Sequence, residues 1–381
     1  MRTLTLALAV PLALGVAASI RRAEHRAAEQ VTVDPGSVDR PWGTWAVGPV
    51  PDYAPTAFVV THERVADLAP GLPAVLDRHL GAAHLVDRTP TPDARAPYAP
   101  IWLRDAQPMH VRRADSVLTG VKPLHPEQFR ETWLPPIPGP TEPWSLIPLI
   151  HEHGNLVSTS RHAFVSDRIL SENQSQFPDP RLTEAGYRPR RPRETLSILA
   201  QALERPIEDI VVLPAPPGEG SAHIDAALLP LDDRTIMVPE IRAEALAVSD
   251  DPASRALALA ARDGLEVLAS ALRALDYQVP RWPMLPPLRL PSVDRAGALE
   301  VAWYTPANSL LLVREGGRVV LLPAVRPEAL PPRAVELDLR YQAEWRSAAT
   351  SHGFAVELID VTALLPYGGL HRCVSAVVPA P

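Results

Sequence analysis

Three stretches of the chain follow the same order of predicted elements, and this repetition limits the possible folds more than any other feature. In each stretch a pair of strand-like apolar segments precedes a helix with apolar periodicity, and a further strand follows. The stretches cover residues 146–214, 223–280 and 300–361 and recur about every 70 residues. Such units cannot bury their apolar faces singly, so they must pack around a common axis. The sequence therefore predicts an α/β fold of pseudo-repeated ββαβ units.

Apolar periodicity and turn residues define the single elements of these units. The sequence predicts strands over 56–61, 209–213, 224–231, 277–280 and 355–360, helices over 72–80, 193–203, 252–275 and 335–349, and a two-glycine hairpin over 314–318. A further apolar alternation covers 146–158. If the units surround an axis, the junctions between one unit's last strand and the next unit's first strand converge at the centre. The most unusual polar clusters of the sequence lie at those junctions.

The composition limits which classes of protein the chain can belong to. The chain has 381 residues, of which 46% are hydrophobic, so it can bury a large core as a folded globular protein. Acids and bases are mixed along the sequence, and the formal net charge is -7. A nucleic-acid surface would need a basic stripe, so we expect no nucleic-acid partner.

The first residues resemble an export signal. One arginine precedes an apolar run that ends in small residues, so we interpret residues 1–18 as a signal peptide and expect a periplasmic or secreted protein. The alternative is an uncleaved anchor held by the arginines that follow, although the apolar run falls short of about 20 residues. Residues 19–44 are predicted to be a linker and residues 45–381 one catalytic domain, with no membrane contact beyond the signal.

Cys373 is the only cysteine, so it cannot form an internal disulfide even in an oxidising compartment. It is therefore either buried and inert or placed for chemistry. A thiol is a nucleophile as its thiolate, and a neighbouring cation raises the thiolate fraction. His371, Arg372 or a cationic substrate could supply that charge.

Two polar clusters precede the centre of the chain. Arg104 and Asp105 follow an apolar strand-like segment, and adjacent strand residues face opposite sides, so one of the pair is expected to face a pocket. The alternative is a surface ion pair at a strand end. In the second cluster Glu152 lies between His151 and His153. A zinc site is an alternative there, but nearby cysteine or carboxylate ligands are lacking, which favours an inward-facing Glu152.

A third cluster follows a glycine-rich turn at residues 218–220. His223 and Asp225 are two apart, so on a strand they would share one face. Histidine titrates near neutral pH and a carboxylate can orient or charge it, so the pair is suited to acid–base work and to binding a cation.

These clusters, in this order and ending in the only cysteine, resemble the deiminases of the guanidine-modifying, or pentein, superfamily over roughly residues 45–380. The segments that carry the resemblance are Trp102–Pro108, Glu152–Asn155, Ala222–Asp225 and Gly368–Ser375. The arrangement is most similar to agmatine deiminases and bacterial-type peptidylarginine deiminases, while Arg-Cys-Val-Ser is nearer to arginine deiminases. The resemblance implies a five-bladed α/β propeller with the site on its pseudo-axis.

The resemblance also implies a role for each site residue. Cys373 would be the nucleophile, His223 the general acid and base, and Asp105 and Asp225 the carboxylates that hold a guanidinium. Trp102, Glu152 and Asn155 would be further substrate-binding residues. No metal ion and no organic cofactor is implied.

The implied activity is hydrolysis of a guanidine group to a ureido group and ammonia through a covalent cysteine adduct. The substrate would be a guanidine-containing small molecule such as agmatine, or an arginine peptide, and export favours the peptide. Alternatives are an amidinotransferase of the same superfamily and a catalytically silent exported binding protein. Ser221, Ala222, Ala226 and His153 depart from the family pattern, which leaves the non-reacting end of the substrate open. The sequence does not define an oligomeric state.

Overall fold

The computed structural model describes residues 48–88, 102–106, 108–113, 118–124, 145–176, 180–249, 251–291 and 299–380, and these belong to one compact unit. The predicted signal peptide at 1–18 and the predicted linker at 19–44 lie outside the described residues, so both stay predictions.

Strands are short and spread along the whole of the described chain. They are β1 (Gly48–Pro49), β2 (Thr56–His62), β3 (His84–Asp87), β4 (Met109–Arg112), β5 (Leu118–Leu124), β6 (Ser145–Ile150), β7 (Leu156–Ser158), β8 (Ala163–Ser166), β9 (Ile210–Leu213), β10 (Leu229–Pro230), β11 (Ile236–Glu240), β12 (Arg281–Pro283), β13 (Leu288–Pro291), β14 (Leu299–Ala302), β15 (Leu310–Arg314), β16 (Gly317–Ala324), β17 (Phe354–Asp360) and β18 (Ser375–Pro379).

The α-helices vary from one turn to more than six. They are α1 (Val65–Leu68), α2 (Gly71–Leu80), α3 (Leu103–Ala106), α4 (Arg168–Gln174), α5 (Pro180–Glu184), α6 (Pro192–Ala202), α7 (Ala243–Leu246), α8 (Pro252–Ala274) and α9 (Pro332–Ser351).

Five sheets in the described part of the chain repeat one strand pattern. In each of them the first strand is antiparallel to the second, and the second is parallel to the third. The sheets are β4-β5-β6, β7-β8-β9, β10-β11-β12, β15-β16-β17 and β18-β2-β3. In the first of them β1 pairs with β4 as an additional edge strand. The chain is therefore an α/β protein with mixed sheets, and none of the sheets described closes on itself.

Helices connect the parallel strands because a parallel pair needs a long crossover. α1 and α2 connect β2 to β3, α4 to α6 connect β8 to β9, α7 and α8 connect β11 to β12, and α9 connects β16 to β17. The longest crossover helix, α8, begins where Asp251 accepts hydrogen bonds from the amides of Ala253 and Ser254 and buries a stripe that includes Leu265, Leu268 and Leu272. The ββαβ order predicted from the sequence is confirmed.

Long elements agree with the sequence predictions. The two-glycine hairpin is confirmed, since Arg314 pairs with Gly317 across the turn between β15 and β16. Gly317 has a φ of +136°, a region that favours glycine. The predicted helices over 193–203, 252–275 and 335–349 correspond to α6, α8 and α9.

Three predicted strands were wrong in extent. The alternation over 146–158 is two strands in different sheets, because β6 ends at Ile150 and a 3-10 turn, His153–Asn155, precedes β7. The predicted strand over 224–231 begins with a 3-10 turn and contributes only β10. The strand predicted over 277–280 begins instead at Arg281. Period-two alternation over three or four residues does not distinguish a strand from a tight turn that is buried on all sides.

No helix in the described parts of the chain is both long enough and apolar enough to cross a membrane.

Candidate active site

The polar clusters lie where the chain passes from one sheet to the next. Helix α3 joins β3 to β4, the 3-10 turn His153–Asn155 joins β6 to β7, and the 3-10 turn Ile224–Ala226 joins β9 to β10. The 3-10 turn Pro306–Asn308 directly precedes β15, and Cys373 precedes β18. The first four of these segments contact one another in succession, and α3 also contacts β18. The described sheets thus bring distant polar segments together, as the repeat predicts.

Cys373 is buried beside an amide side chain. Its Sγ lies 3.2 Å from Nδ2 and 3.4 Å from Oδ1 of Asn308. Burial raises the pKa of the Cys373 thiol, and the carboxylates of Asp225 and Asp105 raise it further. The thiol is therefore neutral at neutral pH, and a cation entering beside these carboxylates would favour the thiolate.

His223 is also buried, and acids surround its ring. Nε2 lies 2.6 Å from Oε2 of Glu152, and Nδ1 lies 3.8 Å from Oδ1 of Asp105. Oε2 of Glu219 accepts a 2.6 Å hydrogen bond from the backbone amide of His223. Burial lowers the pKa of His223, but Asp105 and the hydrogen bond to Glu152 outweigh it and raise the pKa to about 10. The ring is an imidazolium at neutral pH.

Asp225 belongs to a buried network of two acids and two arginines. Arg104 donates from Nε to Oδ2 of Asp225 at 2.5 Å, and Nη2 of Arg104 lies 3.4 Å from Oδ1 of Asp52. Nη2 of Arg372 lies 3.1 Å from the same Asp52 oxygen, and its Nε lies 4.0 Å from Oδ2 of Asp225. The other oxygen of Asp225, Oδ1, lies 3.5 Å from Nδ2 of Asn308. Two positive charges thus balance two negative ones away from water.

Two glycines permit close approaches around the site. A Cβ on Gly154 would lie 2.4 Å from Nδ1 of His223, and a Cβ on Gly369 would lie 2.3 Å from the Trp102 ring. These positions need glycine because a side chain there would displace the imidazole or the indole.

One small pocket is lined by the thiol and the imidazole together. Its lining includes Cys373, His223, Asp225, Asn308, Glu219 and Trp303, together with residues 368–370. Although Cys373 is buried, it therefore shares a cavity with His223.

The structure corrects the local geometry expected for several site residues. Arg104 and Asp105 lie on helix α3 rather than on a strand, with Arg104 in the buried network and Asp105 near His223. His223 and Asp225 flank the start of a 3-10 turn rather than sharing one face of a strand. Their side chains consequently have different neighbours.

The remaining predicted residues are placed as follows. Trp102 packs over Gly369. Glu152 contacts His223, and the fully buried Asn155 accepts a 3.0 Å hydrogen bond from Ser166. His371 was expected as a possible source of charge near the thiol. Burial lowers its pKa to about 4, and it donates to the carbonyl of Leu321 at 2.5 Å, so it is neutral.

The histidines considered as zinc ligands lie apart from the thiol. His151 is fully buried, whereas His153 lines a second pocket together with His110 and the network residues Asp52, Arg104 and Arg372. No group of three His, Cys, Asp or Glu side chains in the described residues has an arrangement that could hold a metal ion.

Four residues of the site were not predicted, namely Asp52, Glu219, Trp303 and Asn308, and neither was the structural role of Arg372. Glu219 lies in the glycine-rich turn that was noted before His223, so its position was visible in the sequence. Asn308 occupies the junction before β15, the equivalent of the junctions that carry the predicted clusters. Asp52 is a single acid in a proline-containing segment, and no pattern marks it.

No protein-family model matches the sequence, and no curated protein matches it. Solved structures do match. The agmatine deiminase of C. jejuni is 13% identical with a TM-score of 0.53, and the alignment covers 88% of this chain and 97% of that one. The agmatine deiminase of Enterococcus faecalis is 12% identical with a TM-score of 0.56 and 90% and 99% coverage.

A Porphyromonas gingivalis protein provisionally named an arginine deiminase is 16% identical, with a TM-score of 0.60 and coverage of 88% of this chain and 98% of that one. The similarity thus extends over nearly the whole of each matched structure. The chain shares the α/β fold of these solved deiminases.

Proposed function

We propose that the protein is a deiminase that hydrolyses the guanidine group of its substrate to a ureido group and ammonia. The observation that carries this proposal is the shared pocket of Cys373 and His223, with the carboxylate of Asp225 in its wall. The thiol is a nucleophile, the imidazolium an acid, and the carboxylate an acceptor for guanidinium N–H groups.

Charge around the pocket supports a cationic substrate. Asp105, Glu152 and Glu219 all act on the His223 ring and raise its pKa, and Arg168 acts on Glu152 and Glu219. Arg104 and Arg372 contact Asp225 and Asp52. A planar guanidinium would add positive charge beside Asp105 and Asp225 and offer paired donors to these carboxylates.

The proposed reaction starts from the neutral Cys373 thiol and the His223 imidazolium. Binding of the guanidinium beside Asp225 and Asp105 favours loss of the Cys373 proton to solvent. The thiolate then attacks the central guanidine carbon and forms a C–S bond. The His223 imidazolium gives its proton to one amino group, and the C–N bond breaks to release ammonia and leave an amidino-thioether.

The second half of the reaction restores the enzyme. Neutral His223 takes a proton from a water molecule, whose oxygen attacks the same carbon. The C–S bond then breaks as the hydroxyl proton of the tetrahedral intermediate is released, which gives the ureido product and the Cys373 thiolate. The thiolate takes up a proton from solvent and returns to the neutral thiol. Glu152 acts through its hydrogen bond to Nε2, by holding the ring and favouring its charged form.

We also propose that the five repeated sheets are the blades of a propeller around a pseudo-axis. Their common strand pattern and the mutual contacts of the segments between them support this arrangement. We further propose export through residues 1–18. Measuring the protein and its mass in periplasmic and culture-medium fractions tests export and cleavage together.

The activity is tested with a panel of agmatine, arginine, acylarginine esters and an arginine peptide, measuring ammonia and ureido product. We expect release from at least one substrate, labelling of Cys373 by a haloacetamidine, and loss of both in Cys373→Ser. Addition of glycine or lysine detects an amidinotransferase by a new guanidino product. No release from any guanidine together with no labelling would leave a silent binding protein and end the proposal.

A further inference from the structure

Asn308 is a buried amide that contacts two ionisable side chains. It ends the 3-10 turn Pro306–Asn308 and is 3% exposed. Its Nδ2 lies 3.2 Å from Sγ of Cys373 and 3.5 Å from Oδ1 of Asp225, and its Oδ1 lies 3.4 Å from the same sulfur. Within the described residues, the hydrogen bonds of this amide thus go to the proposed nucleophile and to a carboxylate proposed to hold the guanidinium.

A second buried asparagine shows the more common arrangement. Nδ2 of Asn173 donates to the carbonyls of Ile150 and Ile169 at 2.7 and 2.8 Å, and its Oδ1 accepts from the amide of Ile150 at 2.9 Å. These contacts are typical of a structural role, because most side-chain hydrogen bonds in proteins are to backbone or water. The need to pair backbone groups therefore explains the position of Asn173 but not that of Asn308.

The turn that carries Asn308 is anchored on the side of the thiol. Within the turn, Oγ of Ser309 donates to the carbonyl of Pro306 at 2.7 Å. Arg372, the residue before the cysteine, donates from Nη1 to the carbonyl of Ala307 at 3.2 Å. The amide is therefore held in place relative to the sulfur, and a donor held in place does not have to reorganise when charge develops beside it.

The Asn308 amide can serve both protonation states of the thiol. A neutral S–H group can donate to Oδ1, whereas a thiolate only accepts and so needs the Nδ2 protons. Both atoms already lie beside Sγ, so the change of state requires no movement of the side chain. Burial is the main cause that raises the pKa of Cys373, and the hydrogen bond with Asn308 acts in the opposite direction.

We propose that Asn308 is a catalytic residue whose Nδ2 group donates a hydrogen bond to the Cys373 sulfur while it is a thiolate. The proposal rests on the deiminase function and adds a residue to that same site. The thiolate occurs twice in the reaction, as the attacking group and as the leaving group, so the same donor acts in both half-reactions. The second proton of Nδ2 is available to Oδ1 of Asp225, which keeps that carboxylate beside the sulfur.

The test is the rate at which 2-chloroacetamidine, a cationic amidine, alkylates Cys373 as a function of pH. Asn308→Leu, which keeps the branched shape without polar atoms, should move the half-maximal rate to higher pH by about one unit. The rate at neutral pH should fall only about threefold, because a thiolate without its donor is also the stronger nucleophile. Asn308→Ala, which cannot clash with its neighbours, should give the same shift.

Ser309→Ala is the matched control, because it removes a hydrogen bond from the same turn that goes to a backbone carbonyl and not to the sulfur. It should retain the wild-type pH profile. The charged groups around the sulfur are the same in all of these proteins, and they are Asp225, Asp105, Arg104 and His223. A shift confined to the Asn308 variants therefore reports the lost donor.

Wild-type profiles in both Asn308 variants would refute the inference and leave the deiminase function standing, and so would an equal shift in Ser309→Ala. A loss of rate at every pH without a shift would make the amide purely structural, and the inference would again be wrong. If the wild type releases ammonia from no guanidine and is not labelled, the deiminase function itself is refuted, and the inference with it.

Discussion

Asp225 and Asp105 have the same expected role, yet they lie in contrasting surroundings. The Asp225 side chain is completely buried and held between Arg104 and Arg372, whereas that of Asp105 is 16% exposed and faces the His223 ring. One carboxylate belongs to a network in which opposite charges balance, and the other belongs to a group of acids around a single imidazolium. The first arrangement fixes the position of a carboxylate in the core, and the second places several carboxylates beside one titratable ring.

The contrast teaches that a fully buried carboxylate needs cations of its own. Burying an ionised carboxylate is costly unless cations and hydrogen bonds replace the lost water. Arg104 and Arg372 lie at Oδ2 of Asp225, while Oδ1 faces Asn308. Asp105 is partly exposed and lies 3.8 Å from the His223 ring, so its burial costs less.

The largest expected effect is a difference in the free energy of unfolding between variants of Asp225 and of Asp105. Asp225→Asn leaves two buried arginines to share Asp52, so we expect the free energy of unfolding in urea to fall by about 3–5 kcal/mol. Asp105→Asn should lower it by less, because the Asp105 side chain is partly exposed, yet reduce kcat/KM at least 100-fold, as expected when a group that positions the substrate is lost. The exposed Asp263, paired with Arg262, is the control, and its change to Asn should alter neither quantity. Equal losses of stability at positions 225 and 105 would contradict the distinction.

A smaller effect is expected from crowding the acidic side of the site. Gly154→Ala places a methyl group against the His223 ring, so we expect a loss of about 1–3 kcal/mol of stability and at least a tenfold fall in kcat/KM. Gly71→Ala is the matched control, because its Cβ would meet no atom within 4 Å. Unchanged activity in Gly154→Ala would mean that the imidazole position is not critical.

The smallest effect concerns the pH dependence of stability. The pKa of His223 is raised to about 10 from an ordinary 6.5, so its charged form stabilises the fold fully below pH 6.5 and this contribution is lost as pH rises through 10. Glu152→Gln removes one of the causes, so its unfolding free energy should fall less than that of the wild type between pH 7 and 10, by about 1 kcal/mol. The groups that titrate in both proteins cancel in this difference. Identical falls would show that Glu152 does not hold the imidazolium.

The apolar periodicity of the sequence was sufficient to predict the long helices and strands and the repeated unit. Helix α8 and the hairpin at Arg314 carry more than one local signal each, and the order hairpin, helix, strand predicted a convergence of junctions. The junctions themselves are three or four residues long, which is less than one helical turn or one strand needs to show its period. The turn after His223 was therefore taken for a strand.

The contacts of the predicted residues were harder to predict from the sequence than the residues themselves. The effect of Arg372 depends on Asp52, which is 320 positions earlier and marked by no motif. The pairing of Asp225 with two arginines arises only when three segments meet, so no spacing within one segment encodes it. Two unpredicted residues had a usable signal: Asn308 through its place at a repeat junction, and Glu219 through its place in the glycine-rich turn before His223.

The sheet β18-β2-β3 has a consequence for the assembly of the protein over time. Ser375 pairs with Thr61, more than 300 residues away, and Cys373 lies just before that strand. Closing so long a loop loses chain entropy before the pairing returns any stabilisation, and contacts of such sequence separation slow folding. β2 can pair with β3 early, but its other edge must wait for β18 until almost the whole described chain has been synthesised. The thiol thus reaches its acidic neighbours late, and a partly made chain lacks the proposed nucleophile.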